Sequence, residues 1–530
     1  MAGGRQGAGA TPCRAIASIV AWGNFSSMPT VNNLTRRVVI VGGGTAGWLT
    51  AARLNKTFND KGPVLDITLV ESATTLRIGV GEATVPTLRR TMQSLGVEEA
   101  EFVRRSSATF KQAIRFEDWA ELGSHYYHPF EAFRESNTTG GATHWLSRRG
   151  QDSDDFASAV GIQAALCDAN RSPRRAQDRS YQAPINYAYH LDADLLGDFL
   201  CELACAAGVK RVVDHVETID VSPQGLIEAV TTRGGTRLEG DLFIDCSGFA
   251  SLLMGRLEVP FESYGQYLLC DRATAFRTPN GPDTVLRPYT RSRALSAGWS
   301  WGIGLQSREG HGYVWSSQFT DAEAAEQELR ATVPAAEGIE ARQLKMRVGR
   351  SEVSWKANCI GIGLSSGFIE PLESTGIFLI EEAVDCLIRY FPVAGLNAAD
   401  IALYNAHFKT LYEEIRDFVV AHYCVTRRTD SAFWREVVKP ERSPDSLKAR
   451  LDAWSRRVPG RLELGDAGLF AVDSYFYVLF GMGWTPPDAV RWAGLTEHGR
   501  GDLRPMLHQA RARALADLPD HTAFIRQQYG

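Results

Sequence analysis

The sequence predicts an α/β fold built on a Rossmann-like domain that is discontinuous along the chain, with inserted segments and a mainly helical C-terminal part. Three observations carry this. A β-branched run enters a glycine-rich turn, a second strand ends on a carboxylate, and further sheet-like segments stand far downstream.

Each element follows in chain order. Residues 13–22 form a short apolar run behind Arg5. It is interrupted by Arg14 and followed by no small-residue cleavage pattern, so it does not read as a signal peptide. Residues 1–36 are expected to be a disordered leader, or an over-extended start with Met28 as the initiator. Val38–Val41 is a β-branched run of the kind buried on both faces of a sheet. It leads into Gly42-Gly43-Gly44-Thr45-Ala46-Gly47, and Trp48–Ala52 then reads as a helix. The strand Leu65–Val70 ends on Glu71. This β-α-β unit implies a parallel sheet with a right-handed crossover. Asp241–Gly248 reads as a strand ending in a tight turn, and Cys359–Leu364 as another buried strand. Residues 148–182 are polar and read as a surface insertion or mobile loop. Helical patterns begin near residue 377, over Ile377–Tyr390 and Tyr404–His422. The expected division is thus 1–36 leader, 37–385 nucleotide-binding domain with inserted segments, and 386–530 helical region.

Composition narrows the function. With 530 residues, 22% charged and a net charge of −5, the chain has no dense Lys/Arg block and no footprint for nucleic acid. A small organic substrate suits that balance better than a polyanion. The nine cysteines lack zinc-type spacing and read as buried thiols of a reducing cytoplasm. No apolar stretch reaches the roughly 18 residues of a membrane span.

Gly42-x-Gly44-x-x-Gly47 has a physical task. Its glycines permit a tight turn, approach of backbone to a pyrophosphate, and close helix–strand packing. The helix N-terminus adds free N–H groups and a positive dipole end. Glu71, 24 residues after Gly47 at a strand end, is placed to accept hydrogen bonds from ribose hydroxyls. The later turns at Ser247-Gly248 and Gly361–Gly367 suggest several segments converging on an extended ligand, which favours FAD over NAD.

Seven segments in order resemble the flavin-dependent tryptophan halogenases: VGGGTAGW (41–48), RIGVGEATVP (77–86), FKQAIRF (110–116), FIDCSG (243–248), GWSWGIG (298–304), RVGR (347–350) and GLSSGFIEPLESTGI (363–377). The resemblance runs from about Arg37 to about Trp434. It implies an FAD-binding, GR2-type fold and a two-component enzyme that receives FADH2 from a separate flavin reductase. In such enzymes reduced flavin, oxygen and chloride or bromide yield hypohalous acid, which travels through a tunnel to a lysine beside the aromatic substrate. That lysine matches Lys111, which as an ammonium would hold hypohalous acid by hydrogen bonding and as a neutral amine would form an N-haloamine. By residue type alone Lys111 would be a solvated helix lysine; the matched FKxAI context assigns it to catalysis.

The same resemblance implies Glu373 as the second catalytic residue, able to take the proton of a cationic arene intermediate. Glu370 is its rival. Ser374 would link the flavin region to the lysine, and the backbone N–H groups of Thr375 and Gly376 would hold the halide. The flavin contacts implied are Gly42 through Gly47 (with Gly43, Thr45 and Ala46), Glu71, Ser72, Thr75, Ile78, Ala83, Val216, Leu364, Ser374 and Ile377. His128 and Phe130 would frame the aromatic substrate. Trp299 and Trp301 would line the barrier between flavin and substrate, although two tryptophans at i, i+2 equally describe one packed strand face. Gly304 stands where the family has proline, which loosens the backbone there.

One part of the pattern is missing. The family's tryptophan-specific members hold the amino acid group with a Tyr-Tyr pair and a nearby glutamate. The corresponding stretch here, Arg461–Phe470, is shorter and has no such pair, and Phe470 stands in place of a stacking tryptophan. A buried ammonium and carboxylate would be poorly satisfied. The expected substrate is therefore an electron-rich arene, an indole derivative in preference to free tryptophan. The competing readings are an aromatic hydroxylase of the same fold and a flavin-binding protein without catalysis. Lys111 and Glu373 together favour halogenation. A homodimer is the family-level expectation.

Overall fold

The computed structural model describes residues 35–74, 81–131, 135–149, 155–464, 468–496 and 504–530. The expected leader lies almost wholly outside the described residues, as do Thr75 and Ile78.

The run that opened the sequence reading is the centre of the first sheet. Its six strands lie in the order Trp355–Lys356, Cys359–Gly361, Leu242–Asp245, Arg37–Val41, Asp66–Glu71 and Lys210–Val213. Every pairing is parallel except that of the short edge strand Trp355–Lys356. Alternation explains why the central strand is apolar throughout. Val38 and Ile40 enter the main core on the face covered by helices Thr45–Asn59, Ala193–Ala206 and Gly376–Arg389. Val39 and Val41 face the other way and meet Ile227 and Val230 of a three-stranded sheet laid across the opposite face.

The second large sheet is an insertion. Its seven strands run in the order Arg342–Lys345, Arg272–Pro279, Arg308–Trp315, Gly298–Gly304, Tyr289–Leu295, Ala113–Glu117 and His125–Pro129. A small sheet of Gly81–Ala83, Ala188–Asp192 and Thr109–Lys111 joins it to the nucleotide-binding part. The chain leaves this small sheet at Lys111, and Ala113 already belongs to the seven-stranded one. Lys111 thus stands at the junction of two sheets, on a strand and fully buried. It is not the solvated helix residue that its type suggests.

The segment 148–182 also differs from expectation. Around residues 150–154, which lie outside the described set, helices Phe156–Val160 and Gln163–Asp168 bury Phe156 and Leu166. Buried Arg174 is ion-paired to buried Glu99, whose carboxylate also accepts from the Tyr187 and Tyr189 hydroxyls at 2.6 Å. The polarity that resembled a surface loop is in part an internal ion pair.

From residue 376 the described residues are mainly helical, including the 27-residue helix Ala398–Cys424. The boundary at 385/386 falls inside helix Gly376–Arg389, and one hydrophobic cluster extends from Val38 to Ile525. The eight described cysteines are free thiols, six of them buried. No described helix is long and apolar enough to cross a membrane.

Candidate active site

The glycine-rich turn is built by close approaches. Gly42 has φ +114°, and a Cβ there would lie 2.2 Å from the Cys246 carbonyl oxygen. A Cβ at Gly47 would stand 1.8 Å from the Gly42 carbonyl oxygen, so the helix could not sit this near the strand. At Gly44 a Cβ would meet no atom within 4 Å. That open flank at the helix N-terminus, with Thr45 and Ala46 as its first residues, is the space a pyrophosphate needs. Gly43 faces Glu71, whose buried carboxylate accepts from Arg211 at 2.6 and 2.7 Å.

The other sequence-predicted flavin residues gather by segment. Ser72 hydrogen-bonds His215 at 3.1 Å, next to Val216 on strand Val216–Val221. Gly363 lies with its Cβ position 3.0 Å from the Ala46 Cβ, bringing Leu364 beside the turn. Ala83 ends strand Gly81–Ala83, and Ile377 is buried in the first turn of helix Gly376–Arg389. The turn at Gly42–Gly47 thus lies against Cys246–Ser247 on one side and against Gly363, within the expected segment Gly361–Gly367, on another.

Lys111 Nζ donates to the Thr84 carbonyl at 3.0 Å and to Ser374 Oγ at 2.8 Å. It also sits 5.0 Å from the ring centre of half-buried Phe130. Burial pulls its proton affinity down from 10.5 to about 7, against an upward pull from the nearby charge of Glu373. An amine poised there can exist as ammonium or free base at neutral pH.

Glu373 is 3% exposed and tied on two sides. His128 Nδ1 lies 3.0 and 2.9 Å from its two oxygens, and His422 Nε2 is 2.9 Å from Oε1. Burial by itself would push this carboxyl up; the two imidazoles override that and hold it at about 2. Its rival Glu370 has a different environment. Oε2 accepts from Trp299 Nε1 and from the Tyr423 hydroxyl, both at 2.8 Å, while Oε1 is buried without a partner. Burial raises Glu370 to about 7 despite those two donors. Two carboxyls three residues apart are thus driven in opposite directions, which separates an anion from a neutral acid at one site.

The turn after Glu373 is shaped for a ligand. Ser374 adopts a left-handed conformation (φ 62°), and Thr375 stands at the N-cap position of the helix that begins at Gly376, its side chain making no capping bond. Thr375 Oγ1 is buried with no hydrogen-bond partner, and a Cβ at Gly376 would meet nothing within 4 Å. A vacant donor beside open space at a helix N-terminus suits a small anion.

Trp299 and Trp301 are buried on strand Gly298–Gly304, and the register opposite Trp301 is Gly312, where a Cβ would overlap the indole. Gly304 is held by its ladder with Glu309 and by the Thr109 hydroxyl at 2.7 Å, so hydrogen bonds fix the strand end that proline would otherwise stiffen. Ile303 lies 3.1 Å from the Cβ position of Gly81, packing strand Gly298–Gly304 onto the small sheet. Phe470 stacks on Phe418 at 3.8 Å and lies 6.4 Å from His128.

Sequence reading missed His422, Tyr423, Thr84 and Ser474, which bonds His128 Nε2 at 3.1 Å. These residues come from elements far apart in the chain, and no spacing rule joins them.

Comparison with known proteins agrees with this geometry. The tryptophan halogenase family model matches residues 37–497. Tryptophan 6-halogenase SttH of Streptomyces toxytricini is 40% identical over 447 residues, covering 80% of this chain and 84% of its own. The 7-chloro-L-tryptophan 6-halogenase KtzR of Kutzneria sp. is 38% identical, covering 93% and 99%. The crystal structure of a tryptophan halogenase from Shewanella frigidimarina superposes with a TM-score of 0.87 at 32% identity, covering 94% and 99%. The chain belongs to the flavin-dependent tryptophan halogenase family.

Proposed function

We propose that this enzyme halogenates an electron-rich arene, an indole derivative, through hypohalous acid received at Lys111. The single observation that carries the reading is the buried Lys111 amine, bonded to Thr84 and Ser374 and electrostatically coupled to Glu373. FAD, bound as FADH2 at Gly42–Gly47 and Glu71, would supply with oxygen the two-electron oxidation of chloride or bromide. A separate flavin reductase is the source of FADH2 in this reading. Thr375 and Gly376 would seat the halide, with the Thr375 hydroxyl as an available donor. As an ammonium, Lys111 would hold hypohalous acid through its remaining N–H; as a free amine, it would take the halogen from hypohalous acid as an N-haloamine and release water. Glu373, ionised, would accept the proton released when the arene regains aromaticity. Trp299 and Trp301 would keep the oxidant from the substrate until it has reached Lys111. The enzyme would work in the cytoplasm, and a homodimer is the expected assembly.

The substrate reading rests on the region that departs from the tryptophan-specific pattern. Glu463 is occupied by Arg457 at 2.9 Å and by the Gly460 N–H at 2.6 Å, and Phe470 is stacked on Phe418. Neither is set to receive a free ammonium and carboxylate. The test supplies FADH2, oxygen and bromide or chloride with a panel of indoles and L-tryptophan, and reads halogenated product by mass spectrometry. Halogenated indole, lost in Lys111→Ala with flavin still bound, is expected. Halogenation by Lys111→Ala would overturn the mechanism, and hydroxylated product independent of halide would point to the hydroxylase. Clearly better turnover of L-tryptophan than of indole would overturn the substrate reading.

A further inference from the structure

The hydrogen bonds of His422 fix a proton count. Its Nδ1 lies 3.0 Å from the Phe418 carbonyl oxygen, which can only accept, so Nδ1 carries a proton. Its Nε2 lies 2.9 Å from Glu373 Oε1. That contact also needs a proton, and a neutral imidazole has none left for it. His128 differs. Nδ1 donates to Glu373, while Nε2 faces the Ser474 hydroxyl, which can itself donate, so one ring proton suffices. The three groups therefore share one proton more than a carboxylate with two neutral imidazoles.

We propose that His422 is a positioning residue that holds a buried positive charge against Glu373, so that this carboxylate is not the counterion of Lys111 and the amine is free to release its proton. The inference rests on the reading of Lys111 as the catalytic amine. His422 is fully buried, and its ring otherwise faces those of Phe116, Trp119 and Phe418. Around Glu373, strand His125–Pro129 contributes His128 and the Tyr126 phenol, and the junction strand contributes Lys111. His190 lies close enough to Lys111 for their charges to oppose one another, and burial keeps it neutral. Glu370 is engaged with Trp299 and Tyr423 and is driven toward its neutral form by burial. An unbalanced Glu373 would be the dominant anion near Lys111 and would hold its proton. With His422 cationic, the pair is neutral as a unit, and desolvation decides the state of the amine.

The test reads protonation directly in the full-length enzyme by 15N NMR of its histidines, assigning His422 by its absence in His422→Gln. Both ring nitrogens of His422 are expected to carry protons in the wild-type enzyme. In Glu373→Gln the second proton should be lost. The functional arm is the pH profile of kcat, whose Lys111 limb is expected near pH 7. His422→Gln keeps a donor to Glu373 without the charge, and it should move that limb upward by about one pH unit or more. A singly protonated His422 in the wild type, or a limb unmoved in His422→Gln, would overturn the proposal. Because the NMR arm needs no turnover, its failure is distinct from a failure of the Lys111 assignment, which Lys111→Ala reports.

Discussion

The two halves of the site are built from different materials. On the flavin side, backbone does the work: Gly42 and Gly47 bring strand, helix and the Cys246 carbonyl into contact, and Gly44 leaves a flank open. On the substrate side, four separated segments supply side chains, namely Lys111, His128, Glu373–Ser374 and His422, and the Thr84 carbonyl joins them. The first half tolerates charge because helix dipole and N–H groups are shared and partly open to solvent. The second half holds an amine, two carboxyls and two imidazoles out of water, so the protonation of each depends on the others. A backbone site fails by steric clash; a buried side-chain site fails by charge imbalance.

Lys111→Met should sharpen that contrast most. It removes the amine proposed to receive the halogenating species, and loss of halogenation beyond detection is expected in the product assay. It should also raise the melting temperature near neutral pH. Folding takes this amine from an ordinary value of 10.5 to about 7, so the folded state binds fewer protons between those limits and its stability rises with pH across them. The cost below pH 7 is on the order of 5 kcal/mol as an upper bound. Denaturation of the Met variant should lose that rise, and an unchanged pH slope would show that the amine is not held as described.

Glu373→Gln comes next, with kcat reduced roughly 10²–10⁴-fold, the range of a lost proton acceptor. Its stability signature is acidic. The wild-type carboxyl is held at about 2 against an ordinary 4.5, so its contribution is complete above pH 4.5 and disappears as pH falls toward 2. The Gln variant should show a flatter stability curve in that window by chemical denaturation.

Gly47→Ala tests the other half. A Cβ 1.8 Å from a backbone oxygen must displace helix from strand, and roughly 1–3 kcal/mol of stability should be lost together with flavin binding. Retained flavin absorbance after gel filtration would break the backbone account. The smallest effect is expected for Glu71→Gln, where flavin affinity should fall roughly tenfold, about 1.5 kcal/mol for a charged hydrogen bond. Equilibrium flavin titration would measure it.

The fold was largely legible in the sequence because its signals are local. Val38–Val41, the glycine spacing and Glu71 lie within one β-α-β unit, and each side chain's face follows from alternation along a strand. Segment 148–182 was misread because composition cannot distinguish a solvated arginine from Arg174 paired to Glu99 in the interior. Lys111 and Glu373 were reachable only through the family's ordered motifs, since neither residue type nor spacing sets them apart.

What the sequence by itself determined is the parallel sheet and the nucleotide turn, and through the family's motifs it named Lys111 and Glu373 as the pair proposed to react. The tertiary structure alone decided their protonation. It put Lys111 at the junction of two sheets away from water, and set His128 and His422 on Glu373 while Trp299 and Tyr423 took Glu370. The reason is physical: a proton's affinity for a buried group depends on solvation and on neighbouring charge, and both are properties of the packed interior.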